Sequence, residues 1–204
     1  MLEEVREEAR TFFDGVNPAH DWWHVQRVDA LAGRLVEETG ADERTVRLAV
    51  LLHDIGRKKE DEGEIDDHAV WGAEKAEEIL ADIGVRPGLV TDVKHCVKTH
   101  RYSNEYEPET LEAKVLSDAD NLDALGAVGI ARVFAYSGGI GQEMHGSVPL
   151  EEDERGTTIA HLRGKILDLR SRLYTDAADR IAERREEYVR SFLERFEREV
   201  EGRL

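Results

Sequence analysis

The chain has one cysteine, Cys96, so no disulfide can close within it, and this fits a reducing compartment. No uninterrupted apolar run approaches the roughly 18 residues that span a bilayer. The first residues, Met1 to Glu8, read as a charged helix without the apolar core of a secretory signal. These absences predict a soluble, cytoplasmic protein. Positive charge is also scarce. Lys and Arg number 28 against 45 Asp and Glu, giving a net charge of −17, and only seven of the 28 are lysines. A field of that sign argues against a nucleic-acid duplex or an anionic membrane as the main partner. It leaves open a small phosphorylated substrate, because a bound cation inverts the local field. A carboxylate-rich, arginine-biased surface also suits a saline cytoplasm, although a mesophilic protein can carry one.

The pattern that is present is helical. A chain of 204 residues with 40% hydrophobic content can bury a real core in one domain. Asn17-Pro18 predicts a helix start, after which Val25, Val28, Leu31 and Leu35 keep helical spacing up to Gly40. Asp42 can cap the next helix, whose stripe of Val46, Ala49, Val50 and Leu52 ends in His53-Asp54-Ile55-Gly56. Residues 57–65 read as a charged loop. Asp66 or Asp67 can cap a helix that stops near Gly84, and Pro87 opens another that reaches about His100. Residues 101–108 form a polar connection, and 111–136 read as one or two helices. Residues 137–149 lack a period and are expected to be loop. Helix returns from Thr157, with Ile181, Tyr188, Phe192, Phe196 and Val200 along one side. No alternating strand pattern, repeat or low-complexity tract is present, so the fold class is all-α. Gly138-Gly139-Ile140-Gly141 lacks the Lys-Ser/Thr ending and the preceding strand of a phosphate loop. The Arg184-Arg185 pair lies among glutamates at salt-bridge spacing.

Chemistry concentrates at His24, the pair His53-Asp54, and Asp120. An unpaired carboxylate at the end of Leu48-Ala49-Val50-Leu51-Leu52 would be costly to bury, so Asp54 needs a cation or several donors. Asp120 meets the same constraint in the apolar helix around Val115, Leu116, Ala119 and Leu122. Two imidazoles and two carboxylates make a nitrogen–oxygen donor set. It suits one six-coordinate divalent ion (Mn, Co, Ni, Fe or Mg) better than a closed zinc site. Such an ion keeps positions for water and substrate and can activate water for attack on phosphorus. Taken singly, each of these residues also reads as a satisfied core histidine or a capping aspartate.

The ordered set, His24, then His53-Asp54 closing a helix, then Asp120 in Ser117-Asp118-Ala119-Asp120-Asn121-Leu122-Asp123-Ala124-Leu125-Gly126-Ala127, resembles the HD superfamily of metal-dependent phosphohydrolases. The similarity runs from Asp21-Trp22-Trp23-His24 to Glu194 and includes His161 to Leu167 and Thr175 to Arg185. It implies a single HD-type domain over 1–204, with a metal-binding core of about 18–136 and an extended C-terminal helical flank of about 155–204. It implies one divalent ion held by His24, His53, Asp54 and Asp120. A bacterial and archaeal subfamily is the nearest in motif, and it implies hydrolysis of nucleotides, including pyrophosphate release from nucleoside triphosphates. Relatives often carry an acidic residue three positions after the paired aspartate, where it helps activate water. This chain has Arg57 there, which leaves the general base open.

Around this set, His68 is expected as a second-layer group or general base. His100 and Arg101 end a helix and can face a phosphate. Arg27, one turn from His24, Lys58, just after the metal pair, and Lys165, one turn after His161, are the other candidate phosphate contacts, with Lys58 expected as a catalytic contact to the reacting phosphate and Lys165 at a remote one. Each basic residue also reads as a surface ion pair, worth at most about 1 kcal/mol. His95 and His100 are five residues apart, so their rings diverge by about 140° on a continuous helix. Trp22 and Trp23 offer a base-stacking surface, with at least one of them in the core. The leading expectation is therefore a mononuclear phosphohydrolase of a nucleotide or related phosphate ester, compatible with a homo-oligomer. The alternatives are a binuclear phosphodiesterase or metal oxygenase using extra histidines, and a non-catalytic metal-binding module. The charge supplies a first prediction. Raising KCl from low to molar concentration should screen carboxylate repulsion and raise the melting temperature. A melting temperature that stays flat or falls removes the saline-cytoplasm reading.

Overall fold

In the computed structural model, residues 1–101, 106–146 and 156–204 are described. Among them there is no strand, and the chain is all-α. No helix among them is long and apolar enough to cross a membrane. Two compact units divide the chain, Met1–Asp120 and Asn121–Leu204.

The first unit begins with α1 (Leu2–Arg10), which buries Val5 and Ala9. Pro18–His20 forms a single 3-10 turn instead of opening a longer helix, because Asp21 adopts an extended backbone and starts α2 (Trp22–Thr39) afresh. The Asp21 carboxylate accepts from the His24 amide at 3.0 Å, satisfying one of the open N–H groups of the first turn. Gly40, at φ +76, ends α2 in the left-handed conformation that a side chain disfavours. α3 (Glu43–Leu52) is capped by Asp42, which accepts from the Thr45 amide at 2.8 Å. It buries Val46, Leu48, Ala49, Val50, Leu51 and Leu52, apolar nearly all round as a central helix should be. α2 and α1 both pack on it.

The stretch expected to be loop contains a short helix, α4 (Arg57–Asp61), whose Arg57 and Glu60 pair one turn apart at 2.9 Å. α5 (His68–Asp82) is capped by Asp67, which accepts from the Ala69 and Val70 amides. α6 (Pro87–Thr99) opens on proline, as expected, and packs along α5 and against α3. The connection expected over 101–108 lies partly outside the described residues. α7 (Leu111–Asp123) runs across the division between the units.

In the second unit, α8 (Gly126–Gly139) follows a break where Gly126 takes φ +75 with Arg185 packed on it. The helix continues to Gly139, past the start of the expected loop, and residues 147–149 of that loop are outside the described set. The helix expected from Thr157 onward is interrupted. α9 (Thr158–His161) passes into a π-helical turn over Leu162–Ile166 and a 3-10 turn, and Thr175 then caps α10 (Asp176–Val200). α10 buries Ala178, Ala182, Val189 and Leu193, leaving Tyr188 and Val200 exposed. The buried stripe is thus set by small and aliphatic residues, not by the aromatic spacing. Phe192 and Phe196 border it and stack with Phe134 of α8. Arg185 is more than a solvated partner of glutamates: its Nη1 donates to the Leu122 carbonyl at 2.5 Å.

The closest packing near the metal pair is at Gly56. Its φ of −90 is open to any residue, so its requirement is space. A Cβ there would stand 2.8 Å from the His68 carbonyl oxygen and 3.1 Å from both the His68 Cα and the Trp71 ring. Gly56→Ala should therefore push the first turn of α5 away and cost roughly 1–3 kcal/mol. A urea midpoint equal to wild type would show that the turn gives way freely.

Candidate metal centre

α2 presents His24 from its buried face, one turn before Val28 on the same side. His53 and Asp54 follow the last turn of α3, where no further helix carries them away from the core. His24 and His53 are fully buried, Asp54 is 5% exposed and Asp120 about a quarter exposed. Their donor atoms converge. His24 Nε2 lies 3.2 Å from His53 Nε2, 3.3 Å from Asp120 Oδ1 and 3.5 Å from Asp54 Oδ2. His53 Nε2 is 3.8 Å from Asp54 Oδ2. Ligands held about 2.1 Å from one ion stand about 3 Å apart at right angles, so these spacings suit a shared cation. The four residues that the sequence singles out meet at one place.

The orientation of His53 strengthens this fit. Its Nδ1 donates to the Val50 carbonyl at 2.7 Å, which leaves Nε2 with its lone pair facing His24 Nε2. Two imidazole lone pairs at that distance repel, so a proton or a cation belongs between them. A backbone carbonyl fixing the far nitrogen of a ligand histidine is a common supporting contact in metal sites. Burial drives the His53 imidazole down to about 4, favouring the neutral, ligating form. Burial pushes Asp54 up, but His53 and the imidazoles of His100, His20 and His68 around it outweigh burial and hold the carboxyl well below its usual range. For Asp120 the raising effect of burial is likewise overcome, by the hydrogen bond and charge of His24. Both shifts favour the ionised carboxylates that binding a cation requires.

Asp54 has a second set of neighbours. Its Oδ1 faces His68 Nε2 at 3.2 Å and His100 Nε2 at 3.7 Å, and His100 Nδ1 donates to the Val97 carbonyl at 2.6 Å. Both imidazoles are buried. His20, which the sequence reading passed over, sets its Nδ1 3.1 Å from Asp54 Oδ2. It stands just before the Asp21 cap, and only the separate 3-10 turn at Pro18–His20 brings it there. Among the described residues, His20–His24–Asp54, His24–His53–Asp120 and Asp54–His68–His100 each bring donor atoms within 4.8 Å of one another.

Glu60 is the other residue that the sequence reading missed. Its Oε2 accepts from His68 Nδ1 at 2.9 Å, and its two oxygens also take Arg57 at 2.9 Å and Arg101 at 2.6 Å. Burial raises this carboxyl, yet His68, Arg57 and Arg101 together bring it down to about 2. Burial lowers His68, but its bonds to Asp54 and Glu60 raise it to about 9.

The expected phosphate contacts are more scattered. Arg101 turns to Glu60, with Asp67 at 3.6 Å, and Arg27 is half-buried on α2. Lys58 is directed elsewhere: its Nζ donates to the Asp14 carbonyl at 2.8 Å. Lys165 belongs to the second unit, where burial and the Lys165 charge push His161 down to about 4. His95 accepts from the Glu109 amide at 3.1 Å, away from His100, as their spacing predicts. Neither tryptophan is fully buried. Trp22 packs edge-on against Phe13, and Trp23 is 66% exposed.

Comparison with known proteins agrees with this geometry. The HD domain family model matches residues 22–125, just over half of the chain. The YpgQ protein of Bacillus subtilis is 31% identical over 99% of this chain and 95% of its own length. The chain belongs to the HD-domain family of metal-dependent phosphohydrolases. An HD-superfamily hydrolase from Bacillus thuringiensis superposes with a TM-score of 0.76 at 31% identity, covering 98% of this chain and 96% of that one. Bacillus subtilis YpgQ, solved in complex with ADP, superposes with a TM-score of 0.80 at 28% identity over the full length of both chains. The HD residues offer a site for a divalent ion, and Asp54 stands at its centre.

Asp54→Ala should abolish retention of divalent metal through purification while the helical far-UV signal persists. Undiminished metal in the mutant by elemental analysis would remove Asp54 from the ligand set.

Proposed function

We propose that this HD domain hydrolyses a nucleotide or related small phosphate ester, with one divalent ion held by His24, His53, Asp54 and Asp120. The carrying observation is the meeting of His24 Nε2 and His53 Nε2 with the two carboxylates, with His53 turned by the Val50 carbonyl to offer its lone pair. A divalent ion bound there supplies Lewis acidity and activated water, as Mn²⁺, Co²⁺, Ni²⁺, Fe²⁺ or Mg²⁺ all can. The chain's own residues hold and orient. Asp120, the most exposed of the four, marks the side open to substrate. His68, tied between Asp54 and Glu60, is the candidate for handling the proton. Arg27 and Lys165 remain the proposed substrate contacts, whereas Arg101, turned to Glu60, and His100, buried against Asp54, are better read as holding the site. Lys58, held by the Asp14 carbonyl, is better read as a structural residue than as part of the reacting set. The complex of YpgQ with ADP supports a nucleotide as the substrate class.

One observation favours a second reading with two ions. Asp54 offers Oδ2 to the first set and Oδ1 to His68 and His100, and His100 is turned by a backbone carbonyl just as His53 is. Against it, the donors grouped there among the described residues are Asp54, His68 and His100, with a single carboxylate that the first set also uses. Metal analysis of the purified protein separates the readings, because one ion per chain rules out the binuclear one.

The activity test is a panel of nucleoside mono-, di- and triphosphates with Mn²⁺ or Co²⁺ and identification of products. Phosphate or pyrophosphate release that stops on chelation is expected. Lys165→Ala should raise KM with little change in kcat, as for a contact to a remote phosphate. No turnover on any member of the panel would sink the nucleotide assignment.

A further inference from the structure

Arg57 occupies the position where the resemblance leads one to expect an acid, and its side chain instead holds a carboxylate one turn on, Glu60. Arg57 heads α4, its amide donating to the Asp54 carbonyl at 2.9 Å. One turn on, α4 returns Glu60 to the same side. There the carboxylate is only 16% exposed and meets three donors: Arg57 Nη1, Arg101 Nη1 and His68 Nδ1. A simple surface ion pair would need one cation and would leave the carboxylate in water. This one is gripped from α4, from Arg101 two residues past the end of α6 and from the first residue of α5.

The grip has a direction. With Nδ1 bonded to Glu60 at 2.9 Å, the His68 ring presents Nε2 to Asp54 Oδ1 at 3.2 Å. We infer that Glu60 is a positioning residue, which acts through His68 by fixing which ring nitrogen faces Asp54, with Arg57 and Arg101 holding the carboxylate in place. This extends the proposed hydrolase reading, but the placement of the His68 ring can be read without any turnover.

The test has two arms. In the first, the imidazole protons of ¹⁵N-labelled full-length protein are observed by NMR, metal-free and with Mg²⁺. The wild-type His68 Nδ1 proton should resonate far downfield and exchange slowly with solvent. In Glu60→Gln it should move upfield and exchange faster, and Glu60→Asp should restore part of the signal. A resonance unchanged in Glu60→Gln overturns the proposal. In the second arm, kcat is measured with Mn²⁺ on whichever nucleotide of the panel turns over. Glu60→Gln should lower kcat by roughly 10- to 100-fold, the range seen for supporting partners of site histidines. In a His68→Gln background the same change should cost less than about twofold, because the pathway through His68 is already gone. Equal losses in both backgrounds would show that Glu60 does not act through His68. If no nucleotide turns over, the proposed function fails, while the first arm still decides the role of Glu60.

Discussion

A carboxylate sealed among apolar helices is the constraint around which the first unit is organised. Asp54 follows a helix with hardly a polar side chain in its last two turns and is 5% exposed. Left alone, an ion in that position would cost several kcal/mol, on the order of a whole domain's stability. It is not left alone. His20, His24, His53, His68 and His100 all bring a ring nitrogen within 4 Å of its two oxygens. Without an ion, those contacts require protons on imidazole nitrogens. With one, the same lone pairs and oxygens can converge on it instead. Protons and a metal ion therefore compete for the same atoms.

The helices around Asp54 follow from this need. The last turns of α3 have to be buried to deliver its end into the core, and α1, α2 and α6 provide that cover. α5 has to start close enough for His68 to reach Asp54, which is why Gly56 and the His68 backbone touch so closely. α6 has to end at His100, where the last turn frees the Val97 carbonyl to hold the ring. Caps set these ends within one residue: Asp21 before His24, Asp67 before His68. A slip of one residue on a helix turns a side chain by about 100°, enough to take an imidazole out of the cluster.

This also explains which parts of the site could be read from the sequence. His24, His53, Asp54 and Asp120 stand on long periodic segments, where an apolar stripe says which face is inward. Asp42, Asp67, Gly40 and Pro87 mark helix ends by local chemistry, and they do so in the structure. His20 and Glu60 stand on a three-residue turn and a five-residue helix, too short to show any period. What folds those pieces is their contact with Asp54 and His68, and such contacts leave no local pattern. The same limit applies to α10, where small residues at 178 and 182 set the buried face while the aromatic spacing suggested another. The π-helical turn at Leu162–Ile166 had no signal, since its sequence suits an ordinary helix equally well.

The charge of the chain bears on the chemistry through the same cluster. A net −17 repels a polyphosphate at long range, but that repulsion is screened within about 8 Å at physiological salt. Closer in, the sign is decided by a few groups. Glu60 takes two guanidinium groups, Arg57 and Arg101, and thereby gathers positive charge beside Asp54 while neutralising part of it. A carboxylate that serves two arginines and an imidazole keeps the arginines from closing on Asp54 itself. Had Arg57 reached Asp54 directly, a guanidinium would compete with a divalent ion for the same oxygen. On the proposed reading, Glu60 holds Arg57 and so leaves the Asp54 oxygens to a metal.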